Sequence, residues 1–218
     1  MPLQKRASPF DDAEYFFELK LDGFRALAVI ERARAQMVSR NGHRFTSFTE
    51  LADEIAAAIR DTQAVLDGEI VCLDKKGKPQ FRDLLFRWGI PCFFAFDILF
   101  CNGKDWRRDA LMDRKQELRR LLSRVLADSR LKYVDYVDGT GIALFQQVCR
   151  LDLEGVVAKN KSAPYITDRE NSTWFKIRNR KYSQMAGREK LFERERHSEP
   201  VPGWHSCVLA CAELEEAS

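Results

Sequence analysis

The first hundred residues constrain the fold most, because strand-length segments follow one another there with tight-turn signals between them. Tyr15, Phe17, Leu19 and Leu21 alternate with Phe16, Glu18 and Lys20, the two-residue period of a strand with one buried face. Asp22-Gly23 then reads as a hairpin turn that leaves Lys20 at a strand end, and Phe24 to Glu31 resumes the β pattern. Gln36 to Arg40 runs into Asn41-Gly42, a second two-residue turn signal. Ala64 to Leu73 is strand-like but interrupted at Asp67-Gly68-Glu69, and Lys75 to Lys78 marks another turn. Cys92 to Phe100 is a nearly continuous aromatic strand, expected to be buried on both faces.

Helical signals are fewer at first and denser later. Thr49 is placed to cap a helix reaching about Ile59, and Phe81 to Arg87 fits a short helix. Leu111 to Ala127 and Gly141 to Leu151 carry apolar residues at helical spacing, while Leu131 to Val137, Glu154 to Lys159 and Thr173 to Arg178 read as strands. Strands and helices mixed without regular βαβ alternation predict an α+β fold.

With 218 residues, 45% of them hydrophobic and 32% charged, the chain has material for a sizeable core. Its longest apolar stretch, Cys92 to Cys101, contains Asp97 and falls short of the ~20 residues that cross a bilayer, so no membrane partner is expected. MPLQKRASPF offers no apolar core for a secretory leader. Six cysteines lie scattered without a C-x-x-C, which reads as buried, reduced thiols of a cytoplasmic protein. Residues 1–180 hold 31 Lys and Arg against 26 Asp and Glu, a weakly basic body that tolerates phosphate partners. The 40 residues after Arg178 include GREKLFERER and a Pro200 to Gly203 break, too short for an ordinary domain of at least ~50 residues. One domain over 1–180 and a helical tail over 181–218 are therefore expected.

Five clusters carry the chemistry: ELKLDGFR (18–25), SRNG (39–42), DGE (67–69), FFAFD (93–97), and EGVVAK (154–159) followed by WFKIR (174–178). A lysine such as Lys20 attacks phosphorus only as a neutral amine, so its ordinary pKa near 10.4 has to be lowered by burial and neighbouring positive charge. Glu69 lies in an otherwise apolar strand, where an unpaired carboxylate is costly, and should face a cleft. Phe96 by itself reads as core, and Asp97 beside it needs a polar partner. Lys176 and Arg178, two apart, share a strand face and repel unless an anion lies between them. Glu154 and Lys159, five apart, share no face of a regular strand, so a bulge or strand end must intervene.

In this order and at these spacings the clusters resemble the covalent nucleotidyltransferases, most closely the adenylation domain of ATP-dependent DNA ligases of the bacterial repair type, from about residue 14 to 180. The resemblance implies antiparallel sheets flanked by helices with the nucleotide cleft between them. It implies that Lys20 takes AMP from ATP as a lysyl-AMP, passes it to the 5′-phosphate of a nick, and lets a 3′-hydroxyl displace it. Arg25 and Arg40 are then nucleotide contacts, Glu18 lies near the base, and Phe96 stacks on adenine. Glu69 contacts ribose or Mg²⁺, Glu154 is the other carboxylate near the metal, and Lys159, Lys176 and Arg178 approach the α-phosphate. Arg178 departs from the lysine usual in the family, keeping charge but changing reach.

Full-length relatives of that type continue into an OB-fold with a short R-x-D-K motif. The tail after Lys181 has no aspartate, so that motif is not in it. Self-adenylation is expected to be slow or partner-dependent, with sealing of an already adenylated nick retained. Expected partners are nicked or broken DNA and a DNA-end-binding protein or OB-containing subunit, in a bacterial cytoplasm at the nucleoid. An RNA ligase, a capping guanylyltransferase and a non-catalytic nucleotide- or DNA-binding module are the alternatives; the intact set Lys20, Glu69, Glu154 and Lys176 favours an enzyme.

Overall fold

A computed structural model of the chain describes residues 1–185, so all but the first residues of the predicted tail, with Cys207 and Cys211, lie outside the described residues. The elements run β1 (Gln4–Lys5), β2 (Asp11–Leu19), β3 (Phe24–Glu31), β4 (Arg34–Ser39), α1 (Thr49–Ala58), β5 (Ala64–Cys72) and α2 (Phe81–Leu85). They continue with β6 (Pro91–Cys101), β7 (Lys104–Asp105), α3 (Leu111–Leu122), β8 (Leu131–Tyr133), β9 (Tyr136–Thr140), α4 (Gly141–Arg150), β10 (Gly155–Asn160) and β11 (Trp174–Arg178). One sheet has the order β1-β11-β10-β2-β9, the other β4-β3-β5-β6-β7 with β8 also beside β6. Pairing is antiparallel except between β1 and β11 and between β6 and β8.

The expected hairpin at Asp22-Gly23 does not form. Strand β2 pairs with β10 and β9, whereas β3 pairs with β4 and β5, so Lys20 to Gly23 carries the chain from one sheet to the other. Glycine is needed there for close approach, since a Cβ on Gly23 would sit 2.0 Å from the Ile70 carbonyl oxygen. The hairpin that does form joins β3 to β4 through Arg32 and Ala33, both at positive φ (47° and 64°), without any Asn or Gly to announce it. The segment expected as one strand over Leu131 to Val137 is likewise split: β8 joins the second sheet and β9 the first. These two crossings set the walls of the cleft.

Other expectations shift less. Strand β5 runs through Asp67-Gly68-Glu69 uninterrupted, absorbing them in a register shift against β6. Thr49 opens α1 but gives no side-chain cap; its hydroxyl donates back to the Thr46 carbonyl. Helix α3 stops at Leu122 rather than Ala127. Cys149 is exposed, against the expectation of buried thiols, while Cys72 and Cys101 are buried.

The largest core lies between the second sheet and α1 and α3, where Leu66, Ile70, Phe93 and Ile98 meet Leu51, Ile55 and Leu118. Each such side chain contributes roughly 1.5–3 kcal/mol by leaving water. On the first sheet Phe17, Val156 and Ala158 pack under α4, whose Val148 is buried among them. The opposite face of β2 is buried as well, with Phe16 and Glu18 each 2% exposed, because the second sheet covers it. The predicted single buried face therefore becomes two, and the second is the cleft.

Candidate active site

Lys20 follows directly on β2, where its backbone N–H donates to the Gly155 carbonyl at 2.9 Å. Gly155 lies so close to β11 that a Cβ would sit 2.2 Å from the Ile177 carbonyl oxygen. Glu154 therefore stands just before β10, the strand end that the five-residue spacing required, and its Oε2 is 2.6 Å from Lys20 Nζ. The Lys20 side chain is 17% exposed, aimed into the cleft rather than into bulk solvent.

Two cavities meet there. The outer one, with ≈ 1110 Å³ of empty space, is lined by Lys20, Glu69, Glu154, Arg40, Arg169, Lys176 and Arg178, among others. The inner one, ≈ 440 Å³, shares Lys20, Arg25 and Glu69 and adds Glu18, Phe96, Val134, Val157, Lys159 and Trp174. An aromatic and aliphatic recess thus adjoins a basin of cations, with a lysine and two carboxylates at the junction. All ten residues expected from the sequence line one cavity or both.

Strand register explains the gradient. Opposite positions on β10 and β11 are Lys159 and Trp174, Val157 and Lys176, Gly155 and Arg178, so the even-numbered side of β11 runs from aromatic to cationic along the cleft. Lys159 consequently does not join Lys176 and Arg178 in the outer basin. Its Nζ lies 2.5 Å from Glu18 Oε2 and 4.2 Å and 4.0 Å from the ring centroids of Phe96 and Trp174, at the inner end. The four strand steps between Gly155 and Lys159 carry it roughly 13 Å from the Glu154 end.

Arg25 lines the cleft, but its fork is occupied. It donates to both oxygens of Asp67, at 3.0 and 2.5 Å, and to the Met1 carbonyl. Tyr165 donates to the same Asp67 at 2.8 Å. Burial opposes the ionisation of Asp67, and Arg25 overrides it, holding the carboxyl below its usual range. Asp97 finds the partner it needs in Arg114, bidentate at 2.8 and 2.9 Å with both side chains fully buried.

Burial also shifts three groups at the junction and in the basin. Burial pushes Glu69 up to about 8, with Glu154 adding to it and Lys20 and Arg25 opposing. Glu154 is also raised, by burial against the pull of Lys20. Burial and then Arg178 bring Lys176 down to about 8. Two carboxyls whose ionisation burial opposes fit Mg²⁺, which needs only one or two carboxylates when phosphate oxygens complete its shell. No group of three His, Cys, Asp or Glu placed to hold a metal by itself occurs among the described residues.

Sequence reasoning missed Trp174, Arg169, Arg114 and Lys115. Trp174 had a signal, standing two residues before Lys176 in the same cluster and hence on its face. Arg169 lies in an irregular stretch between β10 and β11 and had none.

Two sheets facing across such a cleft, with a lysine at the end of β2 between a flat recess and a cationic basin, define the covalent nucleotidyltransferase fold. The family model described as "ATP dependent DNA ligase domain" matches residues 3–178. The chain belongs to that family. It is 32% identical over 170 residues to the multifunctional non-homologous end joining protein LigD of Pseudomonas aeruginosa, a match covering 76% of this chain and 20% of that protein. To the SPbeta prophage-derived DNA ligase-like protein LigB of Bacillus subtilis it is 28% identical over 192 residues, 85% of this chain and 68% of that one. The solved mycobacterial DNA ligase D complexed with ATP and MES superposes with a TM-score of 0.73 at 26% identity, covering 81% of this chain and 58% of that chain. The chain thus spans about a fifth of the P. aeruginosa relative. No helix among the described residues is long and apolar enough to cross a membrane.

Proposed function

We propose that this chain is the catalytic core of an ATP-dependent DNA ligase that joins nicked or broken DNA through a lysyl-AMP. The observation that carries this reading is the position of Lys20 Nζ, 2.6 Å from Glu154 at the junction of an aromatic recess and a cationic basin. The recess suits a base, and the basin suits phosphates.

Lys20 must shed a proton before it attacks, and the Glu154 carboxylate is within hydrogen-bond distance to take it. The amine then forms a P–N bond to the α-phosphorus of ATP as the bond to pyrophosphate breaks. In the second step a 5′-phosphate oxygen of DNA attacks that phosphorus and Lys20 leaves, recovering its proton. In the third, a 3′-hydroxyl attacks the adenylated 5′-phosphate and AMP departs. Lys176, Arg178 and Arg40 hold the phosphates, largely by charge. Glu69 and, once it has passed that proton on to solvent, Glu154 would hold Mg²⁺, whose charge would neutralise the departing pyrophosphate. An OB-containing subunit or a DNA-end-binding protein is the expected partner.

The test is incubation of the purified chain with labelled ATP and Mg²⁺, with and without nicked DNA, beside Lys20→Ala. Label is expected on the wild type alone, and its transfer to nicked DNA supports ligation. Equal labelling of Lys20→Ala overturns the reading. Labelling from GTP in place of ATP points to capping, and joining of nicked RNA in place of DNA to an RNA ligase.

A further inference from the structure

Residues 179–185 follow β11, lie beyond the part matched by the family model, and are hydrogen-bonded to three stretches around the outer basin. The Asn179 backbone N–H donates to the Glu154 carbonyl at 2.9 Å, and its side-chain amide donates to the Leu153 carbonyl at 3.1 Å. The Tyr182 hydroxyl donates to Asp22 Oδ2 at 2.8 Å, and each of the two residues is 4% exposed. The Gln184 side chain donates to the Pro79 carbonyl at 2.8 Å and accepts from the Phe81 N–H at 3.2 Å, where α2 begins. Asp22, Glu154 and Phe81 all line the basin. One short segment thus joins the strand end that carries Glu154, the crossover that carries Lys20, and the helix that follows β5, the strand of Glu69.

Placement is most at stake in the crossover. Lys20 to Gly23 leaves one sheet for the other, so the ladders that end at Leu19 and resume at Phe24 do not hold its middle. Its ends are fixed, Lys20 by the Gly155 carbonyl and Gly23 by contact with Ile70. Asp22 lies between them, and a phenol donating to a carboxylate makes a strong, charge-assisted bond. Attack on phosphorus tolerates little error, since a displacement of about 1 Å can cost about a hundredfold in rate. We propose that Tyr182 is a positioning residue for Lys20. It lines neither cavity. By holding Asp22 it keeps the crossover, and with it the lysine amine, aligned in the basin, while Asn179 and Gln184 tie the same segment to the two walls. This goes beyond the lysyl-AMP reading and rests on it.

The experiment compares the full chain with Tyr182→Phe, which removes only the hydroxyl, and with Gln184→Ala. Equilibrium binding of ATP, the single-turnover rate of AMP transfer from bound ATP to Lys20 in Mg²⁺, and the melting temperature are read on each. In Tyr182→Phe the rate at saturating ATP is expected to fall about tenfold, with ATP affinity held within about twofold. Gln184→Ala should lower the rate in the same way by less. A merely structural bond lowers the melting temperature and leaves the rate per bound ATP unchanged, and that outcome overturns the proposal. A loss of affinity as large as the loss of rate also overturns it, because the cleft is then loosened as a whole. Adding Tyr182→Phe to Asp22→Ala should cost little more than Asp22→Ala alone, whereas a second tenfold loss, by about the same factor, rules out the route through Asp22. Should Tyr182→Phe fail to fold, Gln184→Ala decides on the same measurements, an unchanged rate being the contrary result. Labelling of the wild type with unimpaired variants removes this proposal alone; a wild type that binds ATP and is never labelled removes the ligase reading and this one with it.

Discussion

The inner and outer ends of the cleft treat charge in opposite ways. Behind and within the inner end, buried charges have fixed counter-charges: Asp97 with Arg114, Asp67 with Arg25, Glu18 with Lys115 and Lys159. At the outer end Arg40, Arg169, Lys176 and Arg178 line one basin, and none has an ion-pair partner among the described residues. Burying a lone charge costs several kcal/mol, so the deep end must be neutralised by the fold itself. Near the surface, water tolerates crowded like charges, and the repulsion left over is available to an incoming anion. Inner charges thus hold shape, and outer ones are poised for ligand.

The sharpest way to break this contrast is Asp97→Ala, which strands a fully buried Arg114. A loss of about 3–5 kcal/mol is expected, read as a fall in melting temperature of roughly 6–20 °C. If Asp97→Ala melts with the wild type, the inner pairs are not structural. At the outer end, Lys176→Met should cost about 2 kcal/mol of ATP affinity, the scale of a charged hydrogen bond, while relief of repulsion leaves the melting temperature unlowered. A variant that loses stability in place of affinity reverses the assignment.

A pH series without metal sharpens the comparison further. Lys176 and Lys159 lose their protons, and Glu69 loses its own, as pH rises through about 8. All three changes make the cleft more negative, so ATP affinity should fall about tenfold between pH 7 and 9, and Lys176→Met should show a shallower slope. Titration calorimetry with a chelator present checks it, and affinity that rises with pH contradicts the protonation pattern. Smallest of all, Asp135→Asn removes only an exposed pair with Arg119 and should change stability by less than about 0.5 kcal/mol in thermal melts.

Much of this was legible without coordinates. Strands over 24–31 and 92–100 and helices near 49–59 and 141–151 were expected within a residue or two, because their periodicity is local. The cleft residues were legible as clusters for the same reason: two-residue spacing puts Lys176 and Arg178 on one face whatever the face looks onto. The Arg32-Ala33 turn was not, since neither residue prefers positive φ and the strands it joins impose that conformation. Nor was the partner of Arg25, because Asp67 becomes its neighbour only through the pairing of β3 with β5.

By itself, the sequence determined the α+β class, the strand faces and the chemical types gathered in the clusters, all properties set by neighbours within a few residues. Only the tertiary structure decided which end of the cleft each charge serves. That choice depends on contacts between distant segments, Val157 opposite Glu18 on one side and Lys176 on the other, and on Lys115 reaching Glu18 from helix α3. Whether a buried charge is stable, and so what it is free to do, follows from partners that local spacing does not encode.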